Sequence, residues 1–203
     1  MPLQNRVDPF GELLAAPARG TLMGNRGGRI HTDERRLTTR RWASKQWICC
    51  LLDFKNRQRD VWGRSYTELF FLDEVTAFAA GHRPCFECRR RDAERFARLF
   101  AGSGTRASAP QMDAVLHGER LDGKAKRLHC MRIDMLPDAA MIAIDGEAFA
   151  LRGGRMLPWS GEGYGAPRTR PRGIDVDVLT PPSVLAVLER GYAPRWHASA
   201  PEQ

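Results

Sequence analysis

The stretch 68-ELFFLDEVTAFAAGHRPCFECRRRDAERF-96 decides how this chain is interpreted. Its apolar start is typical of a strand, Asp73 is a good N-cap for a short helix, and Gly81 is a good end for that helix. Apolar residues at helical spacing then predict a second helix, up to the "GSG" at 102–104. Cys85 and Cys88 therefore lie in a knuckle between two helices. This is a common setting for half of a zinc site.

Composition limits the class of protein to a globular one. The chain has 203 residues, of which 42% are hydrophobic, enough for one core or for two small lobes. No apolar run approaches the roughly 18 residues that a membrane span needs, and "MPLQNRVDPFGELL" lacks the pattern of a secretory signal. We expect a soluble, cytoplasmic protein that does not bind membranes. Its five cysteines are odd in number and too sparse for a disulfide scaffold, so a metal site or buried thiols are favoured.

The positive charge is concentrated in one region. Residues 19–64 contain twelve lysines and arginines against four acids, which accounts for the whole net charge of +8. Three tryptophans are interleaved with these cations, and guanidinium groups suit phosphate and stack on bases. The pattern predicts nucleic acid as the partner, with DNA favoured over RNA; a solvated basic face is the alternative. The predicted contacts are Arg26, Arg29, Arg35, Arg36, Arg40, Arg41, Arg89 and Arg90.

The order of elements predicts an α+β fold in two halves. We expect an N-terminal arm over 1–18, a basic zinc-stabilised hairpin-and-helix module over 19–104, and a mixed α+β lobe over 105–203. The hairpin would pair 47–54 with 66–73, with "KNRQRD" near its turn. In the C-terminal lobe we expect helices in "QMDAVLHGERL" and after Pro181-Pro182, strands at "AMIAID", "AFALRG" and "IDVDVL", and a long loop over 158–173.

Residues 66–92 resemble the second half of the zinc-binding domain at the N-terminus of the Ada DNA-repair protein. The shared features are a strand ending in aromatics, a short helix with an alanine-glycine end, an Arg-Pro-Cys turn, Cys-x-x-Cys and basic residues after it. The resemblance implies Zn²⁺ as cofactor, with Cys85 and Cys88 as its second ligand pair. It also implies an association with DNA repair, in which a zinc-bound thiolate accepts a methyl group. The methyl acceptor belongs to the family's first ligand pair, which is altered here because Cys49 and Cys50 are adjacent. The resemblance therefore does not imply methyl transfer by this chain.

The other metal ligands are less defined by the sequence. Cys49 and Cys50 are adjacent, and because neighbouring side chains on a strand point to opposite faces, only one of them is expected to reach the metal. A tetrahedral structural zinc has four ligands, so His31 and His82 are further candidates. The alternatives are a surface histidine for His31 and a turn residue for His82.

A second constellation lies in the predicted helix "QMDAVLHGERL". Asp113 and His117 are four residues apart, so Asp113 is placed to orient His117 as a general base, with Glu119 nearby. Ordinary polar pairs on an amphipathic helix are the simpler interpretation. Three functions therefore remain open. The protein is a zinc-containing nucleic-acid-binding protein, a nuclease or nucleic-acid-modifying enzyme that uses this lobe and the loop residue Glu162, or an interaction protein with purely structural zinc. The sequence leaves the oligomeric state open.

Overall fold

The structure is a computed structural model, and it describes residues 2–56 and 60–202. It confirms the α+β class, with runs of strands separated by a few helices. Residues 57–59, in the middle of "KNRQRD", lie outside the described residues, and Arg57 and Arg59 of the basic region lie there with them.

The N-terminal half is built on a six-stranded mixed sheet in the order β2-β1-β5-β3-β4-β6. Its strands are β1 (Gln4–Val7), β2 (Leu13–Ala15), β3 (Leu22–Arg26), β4 (Trp47–Leu51), β5 (Leu69–Phe71) and β6 (Arg83–Pro84). Residues 4–15, which we expected in an arm, supply two of these strands: β1 pairs with β2 and, in parallel, with β5.

The predicted hairpin between 47–54 and 66–73 is not formed. β3 lies between β4 and β5 and pairs antiparallel with both. Gly24 makes this insertion sterically possible, because a Cβ at this position would lie 2.0 Å from the carbonyl oxygen of Ile48. The segment "LMGNR" lacks the alternation and β-branched residues that mark a strand in a sequence, so its position was not apparent.

The helices begin and end close to the predicted positions. They are α1 (Glu74–Ala79), α2 (Arg90–Ala101) and α3 (Ala109–Arg120). The Asp73 carboxylate accepts a hydrogen bond from the Thr76 amide at 2.8 Å, which is the predicted N-cap of α1. Gly81, with φ of +83°, lets the chain turn out of α1.

The C-terminal half contains a second sheet, in the order β13-β12-β11-β10-β15-β9, with β14 beside β12. After the small pair β7 (Leu121–Asp122) and β8 (Ala125–Lys126) come β9 (His129–Arg132), β10 (Met141–Ile144), β11 (Glu147–Arg152), β12 (Arg155–Ser160), β13 (Gly163–Tyr164), β14 (Arg168–Thr169), β15 (Asp175–Val178) and α4 (Pro182–Glu189). Part of 158–173, which we expected as a loop, is therefore strand, because β13 and β14 both fold back on β12.

The largest hydrophobic cluster joins residues from both halves. Phe78 and Phe96 of the N-terminal half pack in it with Leu116, Met141 and Val187. The expected boundary near residue 104 falls between α2 and α3. Among the helices of the described ranges, none has the length and apolar character needed to cross a membrane.

Candidate metal centre

β4 separates the two adjacent cysteines. Cys50 lies in a small cluster with Met23 and Cys85, whereas Cys49 lies in the apolar cluster under the sheet with Leu69 and Phe71. Alternation along a strand requires this divergence. The Cys49 thiol accepts a long hydrogen bond from the Arg89 guanidinium at 3.7 Å, which occupies it away from the other sulfurs.

The knuckle reaches Cys50 because β6 pairs in parallel with β4. Ile48 and Cys49 are opposite Arg83 and Pro84, and the Cys85 amide then donates to the Cys49 carbonyl at 3.0 Å. The Arg89 amide closes the turn by donating to the Cys85 carbonyl at 3.0 Å, immediately before α2. Backbone pairing thus brings residue 85 beside residue 50.

The Sγ atoms of Cys50, Cys85 and Cys88 all lie within 4.8 Å of one another. A tetrahedral ion with metal–sulfur bonds of about 2.3 Å separates its sulfur ligands by about 3.8 Å. Small side-chain adjustments therefore allow the three sulfurs to bind one ion. The cluster fits a metal that prefers thiolates.

Two backbone amides are directed at these sulfurs. The Glu87 amide donates to the Cys85 Sγ at 3.4 Å, and the Leu51 amide donates to the Cys88 Sγ at 3.4 Å. Hydrogen bonds to a thiolate stabilise its charged form. The chain therefore supplies donors that favour thiolate, the form that binds metal.

The three thiols are strongly coupled. Hydrogen bonds from Cys50 and then from Cys88 lower the pKa of Cys85 to about 2, and the hydrogen bond to Cys85 raises the pKa of Cys50. The hydrogen bonds within the cluster therefore favour a thiolate at Cys85 and oppose one at Cys50. A bound divalent ion would compensate the charge of further thiolates and release the Cys50 proton.

The cluster has three members in the described part of the chain, and a fourth His, Cys, Asp or Glu does not join it there. Cys88 is the member that reaches the surface, where it borders an open cleft with Glu87, Arg90 and Arg91. A tetrahedral ion bound by the three cysteines would keep one position for water or another ligand.

The two histidine candidates lie away from the cysteines. His31 is buried, stacks on Trp62, and has hydrogen bonds at both ring nitrogens, to the Thr67 hydroxyl at 2.6 Å and the Gly63 carbonyl at 2.9 Å. His82 is fully buried against Trp47, and burial lowers the pKa of its imidazole well below the usual value. The structure thus brings neither histidine to the metal ligands.

The predicted catalytic group is engaged in structural contacts. Asp113 forms a two-pronged ion pair with Arg83, at 2.8 Å for each hydrogen bond, and does not orient His117. His117 instead lies 3.2 Å from an Arg120 nitrogen, and burial lowers its pKa. Glu119 accepts hydrogen bonds from the amide and hydroxyl of Ser183 in the first turn of α4.

The predicted phosphate-binding arginines divide into three groups. Arg26 and Arg89 are buried, and Arg89 pairs with Glu74 at 2.7 Å. Three others are paired nearer the surface, in the pairs Arg29–Asp33, Arg35–Asp60 and Arg90–Glu94. Arg36, Arg40 and Arg41 have no ion pair among the residues described here.

The unpaired cations form a short basic loop. Arg40 and Arg41 line an open groove together with Trp42, and Lys124 lies on the same groove. The Trp42 ring also contacts Trp47, with 6.1 Å between ring centroids, and so is anchored to β4. The sequence identified the cations but not their separation into buried, paired and free groups, because the partners are distant along the chain.

Comparisons with models of protein families, with curated proteins and with solved structures found no match to this chain. The comparisons therefore give no support to an Ada-like domain. What the geometry establishes is a group of three cysteines, Cys50, Cys85 and Cys88, close enough to hold a metal ion.

Proposed function

We propose that this protein binds a zinc ion through Cys50, Cys85 and Cys88 and binds nucleic acid through the basic loop 36–42. Zinc is the metal that three thiolates in a tetrahedral arrangement favour, and it needs no redox partner. Its role in this proposal is structural: the ion joins β4 to the turn before α2.

The observation that carries the nucleic-acid proposal is the group Arg36, Arg40 and Arg41. These guanidinium groups have no carboxylate partner in the described residues, and Arg40 and Arg41 line a groove with Trp42, whose ring is partly exposed. Unpaired arginines are free to neutralise phosphates, and an anchored indole offers a face on which a base stacks. Arginine at the backbone gives affinity rather than sequence choice, so the expected binding is sequence-tolerant.

A fluorescence-anisotropy titration tests this proposal. Single- and double-stranded DNA and RNA of one length are titrated at several salt concentrations, with the parent and with the triple variant Arg36→Gln, Arg40→Gln, Arg41→Gln. On duplex DNA, the loss of three phosphate contacts should reduce the slope of log K against log salt by about 2.7. The metal content should not change, because none of the three side chains contacts the cysteine cluster.

A matched control removes the same charge elsewhere. Arg132, Arg155 and Arg172 are exposed on the C-terminal half, and their triple glutamine variant has the same net charge as the test variant. This control should keep the parent's salt slope. Equal slopes for the parent and the loop variant would refute the basic loop as the binding surface. Equal losses in both variants would reduce the effect to net charge.

The enzyme alternative receives less support from the geometry. Asp113 and Glu119 are bound to Arg83 and Ser183, so neither is free to act as a base. Incubating the metal-loaded protein with the same oligonucleotides tests it directly: cleavage that depends on the metal would favour an enzyme over a binding protein.

A further inference from the structure

Two arginines lie over Trp47, on the opposite side of β4 from Cys50. The Arg26 guanidinium lies 4.0 Å from a Trp47 ring centroid, and the Arg120 guanidinium lies 3.8 Å from one. Both arginines are almost completely buried, with exposed fractions of 2% and 1%. Lys126 lies beside them on β8: the residue as a whole is partly exposed, but its ammonium group is buried. We call Arg26, Arg120 and Lys126 the buried cations.

The buried cations are hydrogen-bonded to neutral groups. Arg26 donates to the Gly11 carbonyl at 2.7 Å, Arg120 donates to the carbonyls of Gly81 and Lys45 at 2.8 Å each, and the Lys126 ammonium donates to a carbonyl of α1. Over residues 2–56 and 60–202, no carboxylate lies within ion-pair distance of any of the three. This is unusual, because buried charges in proteins are normally paired.

Two buried nitrogens in this group also lack a hydrogen-bond partner, the Nε atoms of Arg26 and Arg120. Both ring nitrogens of His82, which packs against Trp47, lack one as well. Burial lowers the pKa of both arginines, and burial together with Arg26 and Arg120 lowers the pKa of Lys126 to about 7. Guanidinium groups remain charged in proteins, so the two arginines keep their positive charge, which the more distant carboxylates of Asp8, Glu12 and Asp113 offset only in part. Buried donors without partners cost free energy that a ligand can recover.

The buried cations line a cleft that opens to the surface. The cleft is narrow: its cavity volume is about 20 Å³, room for about one water molecule, so a phosphate bound there must widen it by moving side chains that line it. Its walls carry five cations, the buried three with Arg41 and Lys124, against one acid, the exposed Glu12. Trp42 and Trp47 also line it. The cleft is therefore positive, narrow and partly aromatic.

We infer that this cleft is a binding site for a phosphate group, with Arg26, Arg120 and Lys126 as the groups that hold its oxygens. A phosphate dianion matches several converging cations in charge, and its oxygens accept the hydrogen bonds that guanidinium and ammonium groups donate. The ligand is either a small free phosphate compound or the terminal phosphate of a nucleic-acid strand. The site does not depend on nucleic-acid binding by the loop, although Arg41 and Trp42 border both.

Inorganic phosphate is the first probe. Calorimetry at constant ionic strength, with chloride as the balancing anion, should show saturable binding below about 10 mM, the weak range for a single small anion. In ¹H–¹⁵N spectra, the Nε–H signals of Arg26 and Arg120 should shift on titration, because these are the donors without partners. Absence of saturable binding by the parent protein overturns the inference.

Variants then locate the site. Lys126→Gln should weaken phosphate binding about tenfold or more, because it removes one charge-assisted hydrogen bond. Lys55→Gln is the matched control: Lys55 is exposed and lies over the Phe54 ring, outside the cleft, so its affinity should equal the parent's. If Lys126→Gln does not fold, the exposed Lys124→Gln provides the same comparison. Equal affinity in the parent and in the folded cleft variants overturns the inference.

A pair of oligonucleotides distinguishes the two sources of phosphate. The same strand is prepared with a 5′-phosphate and with a 5′-hydroxyl, and both are titrated against the parent and Lys126→Gln. A preference for the phosphorylated end that Lys126→Gln abolishes assigns the cleft to strand ends. Equal affinities, together with binding of inorganic phosphate, assign it to a free phosphate compound. Nucleic-acid binding without any phosphate binding defeats this inference and leaves the loop proposal standing.

Discussion

Substituting the two adjacent cysteines separately tests the metal centre. Cys50→Ser and Cys49→Ser change neighbouring residues of one strand, and both cysteines are buried. Only Cys50 has its sulfur within 4.8 Å of those of Cys85 and Cys88. The pair therefore separates loss of a metal ligand from the ordinary cost of a polar atom in the core.

The expected magnitudes follow from binding linkage. At a free zinc concentration of about 1,000 times the dissociation constant, bound zinc stabilises the parent by about 4.1 kcal/mol. Changes to groups that merely support metal ligands weaken metal binding up to roughly hundredfold, so loss of a thiolate ligand should weaken it by at least that much. At the same zinc concentration, bound zinc would then stabilise Cys50→Ser by at most about 1.4 kcal/mol. Cys49→Ser should keep the full zinc effect and lose about 1–3 kcal/mol with or without metal, because its hydroxyl is buried.

Thermal unfolding with zinc and with EDTA measures these effects. For a chain of this length, 4 kcal/mol corresponds to a shift of about 8–16 °C, and the residual effect in Cys50→Ser to about 3–6 °C. Metal content after dialysis should fall in Cys50→Ser and stay near one ion per chain in Cys49→Ser. An EDTA shift of the same size in all three proteins would refute the three-cysteine centre. Metal loss in Cys49→Ser alone would mean that the ligand on β4 is wrongly assigned.

Two further predictions concern carboxylates, the buried one of Asp113 and the partly buried one of Asp8. Asp113→Ala should destabilise the protein by about 3–5 kcal/mol in urea unfolding, because it leaves the Arg83 guanidinium buried without its partner. As a control, Glu94→Ala removes the surface pair with Arg90 and should cost under about 1 kcal/mol. Similar costs for the two variants would contradict a stabilising buried pair. Burial raises the pKa of Asp8 to about 6 in the folded protein, so ionisation of Asp8 opposes folding. The free energy of unfolding should therefore fall as the pH rises from about 4 to 6. Asp8→Asn keeps the acceptor for the Glu12 amide and should gain up to about 2 kcal/mol over the parent at pH 7 but little at pH 4; a gap independent of pH would contradict this.

Local signals in the sequence predicted the helices well. Asp73 and Gly81 bound α1, and the Pro181-Pro182 pair begins α4, because caps and breakers act over a few residues. The sheet around the site depends on distant residues instead. β3 enters between β4 and β5 through pairings of residues 22–26 with 47–51 and 69–71, and the short segment has no pattern that identifies its neighbours.

The same distinction applies to the site. The spacing of Cys85 and Cys88 suffices to place them together. The choice between Cys49 and Cys50 depends instead on which face of β4 meets the knuckle. The pairing of β4 with β6, which are more than thirty residues apart in sequence, determines this face. His31 was a reasonable ligand candidate by type. Its ring nitrogens are bound to Thr67 and Gly63, which the sequence gives no reason to associate with it.

The metal centre and the cation cleft share one structural support. β4 carries Trp47 three residues before Cys50, and the segment paired with it carries His82 against Trp47 three residues before Cys85. A metal held by Cys50 and Cys85 therefore fixes the same two segments whose opposite ends form the wall of the cleft. Because Trp47 supports both Arg26 and Arg120, movement between these segments would displace the two guanidinium groups that we propose as phosphate ligands. The short parallel pairing of β4 with β6 is then what couples the two sites. A strand of two residues pairs only weakly, and a metal would reinforce the pairing at one end.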